Sequence, residues 1–171
     1  MRTPRVRVVP YDPAWSEAFE AIRAEISAAL GEVALGIEHV GSTSVPGLFA
    51  KPCIDIDVII RDRTVLAEAV GRLATIGYIH EGDLGIPDRE AFRYSDKPHL
   101  MEHHLYVCPQ DSAELHRHIA FRDLLRGDAA AAERYGRVKL EAAGLFPDDI
   151  DGYIAHKAPC IEELYALCGL K

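Results

Sequence analysis

The sequence predicts an α+β fold, a mixed β-sheet flanked by helices, and three observations carry that expectation. Short runs with period-two apolar alternation, the spacing of half-buried strands, dominate residues 1–110. From Asp111 onward the apolar residues recur at helical spacing between capping and stop signals. The chain has 171 residues, 49% of them hydrophobic, which suffices for one core and leaves little room for a second. A single domain over 1–171 follows, strand-rich over 1–110 and helical over 111–171, and that segregation is the α+β pattern.

In chain order, Arg5 to Val9 reads as a short edge strand ended by Pro10. Asp12-Pro13 opens a helix, with Asp as cap and Pro at the first helical position. Trp15, Phe19, Ile22, Ile26 and Leu30 form its apolar stripe, and Gly31 stops it. Leu35 to Val40 is a strand leading into a Gly41-Ser42 turn, and Cys53 to Arg61 is a second strand. Asp62 or Thr64 caps a helix whose inward residues are Val65, Leu66, Ala69, Val70 and Leu73, with Gly77 at its end. Tyr78 to Glu81 is a strand and Gly82 to Arg89 a loop. Ala91 to Tyr94 and Met101 to Cys108 are antiparallel strands around Ser95-Asp96-Lys97-Pro98.

Asp111 with Glu114 three residues on forms a capping box for a helix that Gly127 ends. Asp128 caps the next helix, through Ala143 to a stop at Gly144. Phe146-Pro147-Asp148-Asp149 opens the last, ending near Leu167, with Pro159 expected to kink or divide it.

Net charge is −8, from 19 basic and 27 acidic residues, which argues against broad binding to nucleic acid through phosphate neutralisation. A local basic pocket for a small phosphorylated ligand stays open. No apolar run has the length to cross a bilayer, so no membrane partner is expected. Cys53, Cys108, Cys160 and Cys168 lie far apart without a C-x-x-C pair, and read as buried thiols of a cytoplasmic protein.

The chemistry concentrates in Gly41-Ser42-Thr43-Ser44-Val45-Pro46-Gly47 and the strand that follows it. A turn of small residues can hold a phosphate. Asp55 and Asp57 stand at i and i+2, so they share one face of their strand, while Ile54, Ile56, Val58 and Ile60 enter the core. Adjacent carboxylates repel unless cations or hydrogen bonds offset the charge. A divalent ion bridging to phosphate is one solution, and mere solvation at a sheet edge is the other. Glu102, His104 and Tyr106 share one face of the strand expected from Met101. His104 would either complete a metal shell or hydrogen-bond an aspartate with no metal. His118 and Arg122, four apart on one helical face, would line the same cleft or pack against the acidic sheet residues. Lys51, Arg93, Lys139 and Lys157 are candidates to pair with phosphate. His39 reads as structural.

The run Ile37-Glu38-His39-Val40-Gly41-Ser42-Thr43-Ser44-Val45-Pro46-Gly47-Leu48, then Lys51-Pro52, Ile54-Asp55-Ile56, closely resembles the GrpB family. Gly85-Ile86-Pro87, Phe92-Arg93, His103-His104-Leu105, His118, Ala120-Phe121-Arg122-Asp123 and Phe146-Pro147-Asp148-Asp149 continue the likeness, from about Pro10 onward. The resemblance implies a nucleotidyltransferase-like mixed β-sheet flanked by helices. In that superfamily a Gly-Ser turn and an Asp-x-Asp strand bind nucleotide phosphates and divalent metal.

Carried over residue by residue, it implies phosphate contacts from Gly41, Ser42, Thr43, Ser44, Lys51 and Arg93, and Mg²⁺ or Mn²⁺ on Asp55, Asp57 and His104. Asp55 is better supported than Asp57, where the family pattern often has an apolar residue. The expected function is therefore binding of a nucleotide or other phosphate ligand, with metal-assisted nucleotidyl transfer as its reaction. A non-catalytic ligand-binding or folding-accessory module, like the domain fused to some dephospho-CoA kinases, is the alternative. A His/Asp metal hydrolase is a third.

Overall fold

The computed structural model describes residues 5–170. Five helices and five strands follow in the order α1 (Ala14–Leu30), β1 (Gly36–Val40), β2 (Ile54–Ile60), α2 (Leu66–Ala74), β3 (Ile79–Gly82), β4 (Glu90–Arg93), β5 (His103–Pro109), α3 (Ala113–Gly127), α4 (Ala129–Leu145) and α5 (Ile150–Leu167). The strands make one sheet in the order β1-β2-β5-β4-β3. Only β2 and β5 run parallel, and the crossover such a pair requires is supplied by α2, β3 and β4. The result is the mixed, helix-flanked α+β sheet that the sequence predicts.

Alternation divides β2 between two environments. Ile54, Ile56, Val58 and Ile60 are fully buried against Trp15, Ile22 and Ile26 of α1 and Leu73 of α2. Those helices therefore cover one face of the sheet. The opposite face carries the two aspartates and is covered by the C-terminal helices. Leu125, Tyr135, Cys160 and Leu164 of that layer pack on Val45 and Leu48, just beyond the Gly41-Ser42 turn. This second cluster fixes α3, α4 and α5 over the acidic end of β2.

Four local expectations are corrected. Arg5 to Val9 is not a strand: Val9 makes one isolated antiparallel bridge to Ala50, and Val6 donates to Pro147 O. Val6 is buried with Ala142 and Tyr153, so the alternation there reflects packing on α4 and α5, away from the sheet edge. The cap of α3 is Ser112, whose Oγ accepts from Leu115 N at 3.2 Å, one residue past the expected Asp111. Helix α4 runs through Gly144 to Leu145. Pro159 sits inside α5 without ending it. By contrast Asp12, Asp62, Asp128 and Asp149 each accept a backbone N–H at the start of a helix or helical turn. No helix among the described residues is long and apolar enough to cross a membrane.

Candidate functional site

Strand β2 is an interior strand, so its acidic face is walled on both sides. Asp55 lies opposite Val40 of β1 and His104 of β5, and Asp57 lies opposite Glu38 and Tyr106. Both aspartates thus share the face that the period of two assigns them, yet their surroundings differ. Asp55 is one-third exposed, with Oδ1 3.0 Å from His104 Nδ1. Its other oxygen lies against the backbone of Gly41, where a Cβ would fall 2.3 Å from Oδ2. Asp57 is completely buried, with Oδ2 2.6 Å from His118 Nδ1 and no partner for Oδ1.

Electrostatics follow from those contacts. The hydrogen bond to Asp55, aided by Cys53, pushes the His104 imidazole up to about 10, so it is a cation at neutral pH. Burial raises the Asp57 carboxyl, and the bond to His118 opposes that shift. His118 is also raised: burial works against its charge, but Asp57 and Glu114, the latter 3.5 Å from Nε2, outweigh it. Each carboxylate is therefore matched by its own histidine, which stands where a compensating cation would sit.

Beside Asp55 opens a chamber of about 290 Å³, bounded by Ser42, Thr43, His104 and three lysines, Lys51, Lys139 and Lys157. No carboxylate pairs with any of the three lysines among the described residues. Lys139 donates to Phe49 O at 2.8 Å, and Lys157 lies 4.3 Å from the centre of the Tyr153 ring. Burial, with the neighbouring lysine charges, pulls Lys139 well below its ordinary range and Lys157 down to about 8. On the other side of Asp55 lies a smaller chamber of about 220 Å³, walled by Arg89, Tyr106, His118, Phe121 and Tyr165.

Of the residues singled out from sequence, Ser42, Thr43, Lys51, Asp55 and His104 meet at the first chamber. Thr43 is buried and its hydroxyl bonds His39, which stacks on Phe19, so His39 is structural as expected. Ser44 is buried too and its hydroxyl turns back to Gly41 O. Arg93 is not at the site. It is exposed on β4, 3.7 Å from Glu81; alternation puts it on the acidic face, but β5 separates its strand from β2. His118 and Arg122 do pack against acidic sheet residues, Asp57 and Glu38 respectively. Arg89 and Tyr165 gave no sequence signal, since one ends a loop and the other lies near the far end of the chain, whereas Tyr106 was legible only as sharing a strand face with His104.

A resident divalent ion does not fit this arrangement. Among the described residues no three His, Cys, Asp or Glu side chains are placed to hold one. Asp57 is sealed beneath His118, and His104 would have to give up its proton before it could act as a ligand.

A sequence profile for the GrpB protein family matches residues 5–167. The crystal structure of the conserved protein GrpB from Enterococcus faecalis superposes with a TM-score of 0.80 at 35% identity, covering 94% of this chain and 98% of that one. A UPF0157 protein of Bacillus subtilis is 30% identical over 153 residues, which is 90% of this chain and 44% of that protein. A dephospho-CoA kinase of Mycolicibacterium paratuberculosis is 30% identical over 183 aligned residues, 94% of this chain and 45% of the kinase. The chain thus spans less than half the length of these two curated relatives.

Proposed function

Because this chain belongs to the GrpB family, and because its lysine-lined chamber opens beside the Gly41-Ser42 turn, we propose that it binds a phosphorylated small molecule there, a nucleotide by class. The observation that carries this reading is the convergence of Lys51, Lys139 and Lys157, none of them ion-paired with a carboxylate among the described residues, around the single acid of their chamber, Asp55, in a chain whose net charge is −8. Gathering three ammonium groups costs free energy through repulsion and desolvation, as the depressed values of Lys139 and Lys157 register. A dianionic phosphate would offset that cost. Ammonium groups suit phosphate as point charges.

Nucleotidyl transfer through Mg²⁺ or Mn²⁺ would require Asp55 and Asp57 released from His104 and His118. The reading carried forward is therefore a binding site. The kinase relative favours a second reading, a ligand-binding or folding-accessory module without chemistry of its own. A cytoplasmic location belongs to the same proposal and rests on four free thiols.

Isothermal titration with pyrophosphate and with the common nucleoside phosphates, with and without Mg²⁺, tests it. Micromolar binding that weakens at least tenfold in Lys157→Gln is expected. Lack of response to every phosphate would remove the ligand reading. A Mg²⁺-dependent gain that vanishes in Asp55→Asn would restore the transferase reading.

A further inference from the structure

The chamber on the far side of Asp55 has a chemistry of its own. Gly41 and Ser42, consecutive in the chain, face different chambers, and Asp55 forms part of the wall of both. The first gathers Lys51, Lys139, Lys157 and His104 about Asp55, with Ile150 and Ile154 completing its wall. The second sets the rings of Tyr106, Phe121 and Tyr165 beside the Arg89 guanidinium, with His118 and the Asp55 carboxylate also in its wall. Its volume of about 220 Å³ has room for a planar ring system and not for a whole nucleotide.

Arg89 is held there without being neutralised. Its guanidinium carbon lies 4.4 Å from the centre of the Tyr106 ring, a cation–π contact that fixes the plane of the group. Its Nε is buried with no hydrogen-bond partner, and it enters no ion pair among the described residues. The neighbouring Asp57 carboxylate, whose Oδ1 also lacks a partner, feels the Arg89 charge but bonds His118. A buried donor left unmade costs free energy comparable to a hydrogen bond, and Asp57 Oδ1, unpartnered as well, does not take this one.

Resting on the phosphate reading of the lysine chamber, we propose that the second chamber takes the heteroaromatic ring of the same ligand, and that Arg89 reads the ring's acceptor edge. Flat walls of Tyr and Phe stack on any base, so they give affinity without selection. The selection comes from the guanidinium fork. Between the purines, two parallel N–H donors match the neighbouring acceptors of the guanine O6/N7 edge, whereas adenine presents an acceptor beside a donor. The ligand is accordingly a guanine-type nucleotide, its phosphate among the lysines and its base beside Arg89.

The experiment is calorimetry on the full chain with pyrophosphate, ribose 5-phosphate, AMP and GMP. Saturation-transfer NMR with guanosine serves as a ring-only probe. GMP is expected to bind at least tenfold more tightly than ribose 5-phosphate and than AMP. Arg89→Gln and Arg89→Lys, the second keeping the charge but not the fork, should both erase that advantage while pyrophosphate affinity stays unchanged. Equal binding of GMP and ribose 5-phosphate, or a GMP preference that survives both substitutions, overturns the inference. Should pyrophosphate fail to bind, the lysine reading falls alone. The ring chamber is then decided by guanosine: a saturation-transfer signal lost in Arg89→Gln supports it, and no signal in the wild type refutes it.

Discussion

His118 closes over Asp57: its Nδ1 sits 2.6 Å from Oδ2 of a carboxylate that is otherwise completely shut off from water. The two residues come from α3 and β2, 61 positions apart, so the contact is made by the fold and not by local sequence. Removing one partner of such a pair strands the other. His118→Leu should cost ~3 kcal/mol in urea unfolding at pH 8, the usual cost of an uncompensated buried charge. The loss should shrink at acid pH, because burial raises the Asp57 carboxyl and protonation relieves it. The double variant Asp57→Asn/His118→Leu should recover most of the stability. Rescue of the single variant by Mn²⁺ would instead show that Asp57 is a metal ligand kept covered.

His104 supplies a stability contribution with a defined sign. Its folded-state value, about 10, lies above the ~6.5 of an exposed imidazole. The stabilisation is therefore complete below the unfolded value and is lost as pH rises through the folded one. The stability gap between the wild type and His104→Gln should be constant near pH 6 and close steadily between pH 7 and 10. Imidazole NMR titration of Asp55→Asn should show His104 falling back toward its ordinary range. An unchanged titration would mean that Asp55 is not what holds the charge.

What was legible in the sequence is what local spacing encodes. The period of two in Ile54-Asp55-Ile56-Asp57 assigned the core face and the acidic face of β2 correctly, because β2 is paired on both sides and has no freedom to slip. Asp caps were legible for the same reason, being short-range contacts. Capping by Ser112 in place of Asp111 shows the limit: adjacent residues with equal capping ability are separated only by burial, and Ser112 is the buried one. Lys51, Lys139 and Lys157 could be named as phosphate candidates, but not placed together, since they come from three separate segments. Arg93 looked equivalent to them, but its strand β4 is separated from β2 by β5, a neighbourhood that local spacing does not encode. Arg89 gave no signal at all, because a loop residue has no periodicity to betray which way it points.

Two lysines with lowered values make a prediction about protons. At pH 8 Lys157 is about half charged, and burial with the neighbouring lysine charges disfavours the charged form of Lys139. An anion entering the chamber favours the charged forms and should draw protons from solution. Pyrophosphate titrations in two buffers of different ionisation heat should therefore report net proton uptake at pH 8, reduced in Lys157→Gln. Affinity should fall as pH climbs from 7 to 9. Proton release on binding would place the anion elsewhere.

Gly41 is the position where backbone and site chemistry constrain each other most tightly. Its φ of 74° with ψ of −176° belongs to a region that only glycine occupies freely, so any side chain there carries ~1–3 kcal/mol of strain. A Cβ would in addition meet Asp55 Oδ2 at 2.3 Å, which forces the carboxylate off its hydrogen bond to His104. Gly47 separates the two effects, since its φ is 83° but nothing lies within 4 Å of its Cβ position. Gly41→Ala should destabilise the protein more than Gly47→Ala, and should lower the His104 titration midpoint where Gly47→Ala leaves it alone. Adding Asp55→Ala to Gly41→Ala removes the 2.3 Å contact but keeps the 3.0 Å approach to the Cβ of residue 55 and the backbone strain, so the double variant should still be more stable than the sum of the two single losses. Strict additivity would mean that Gly41 serves the turn alone and has no part in setting the carboxylate.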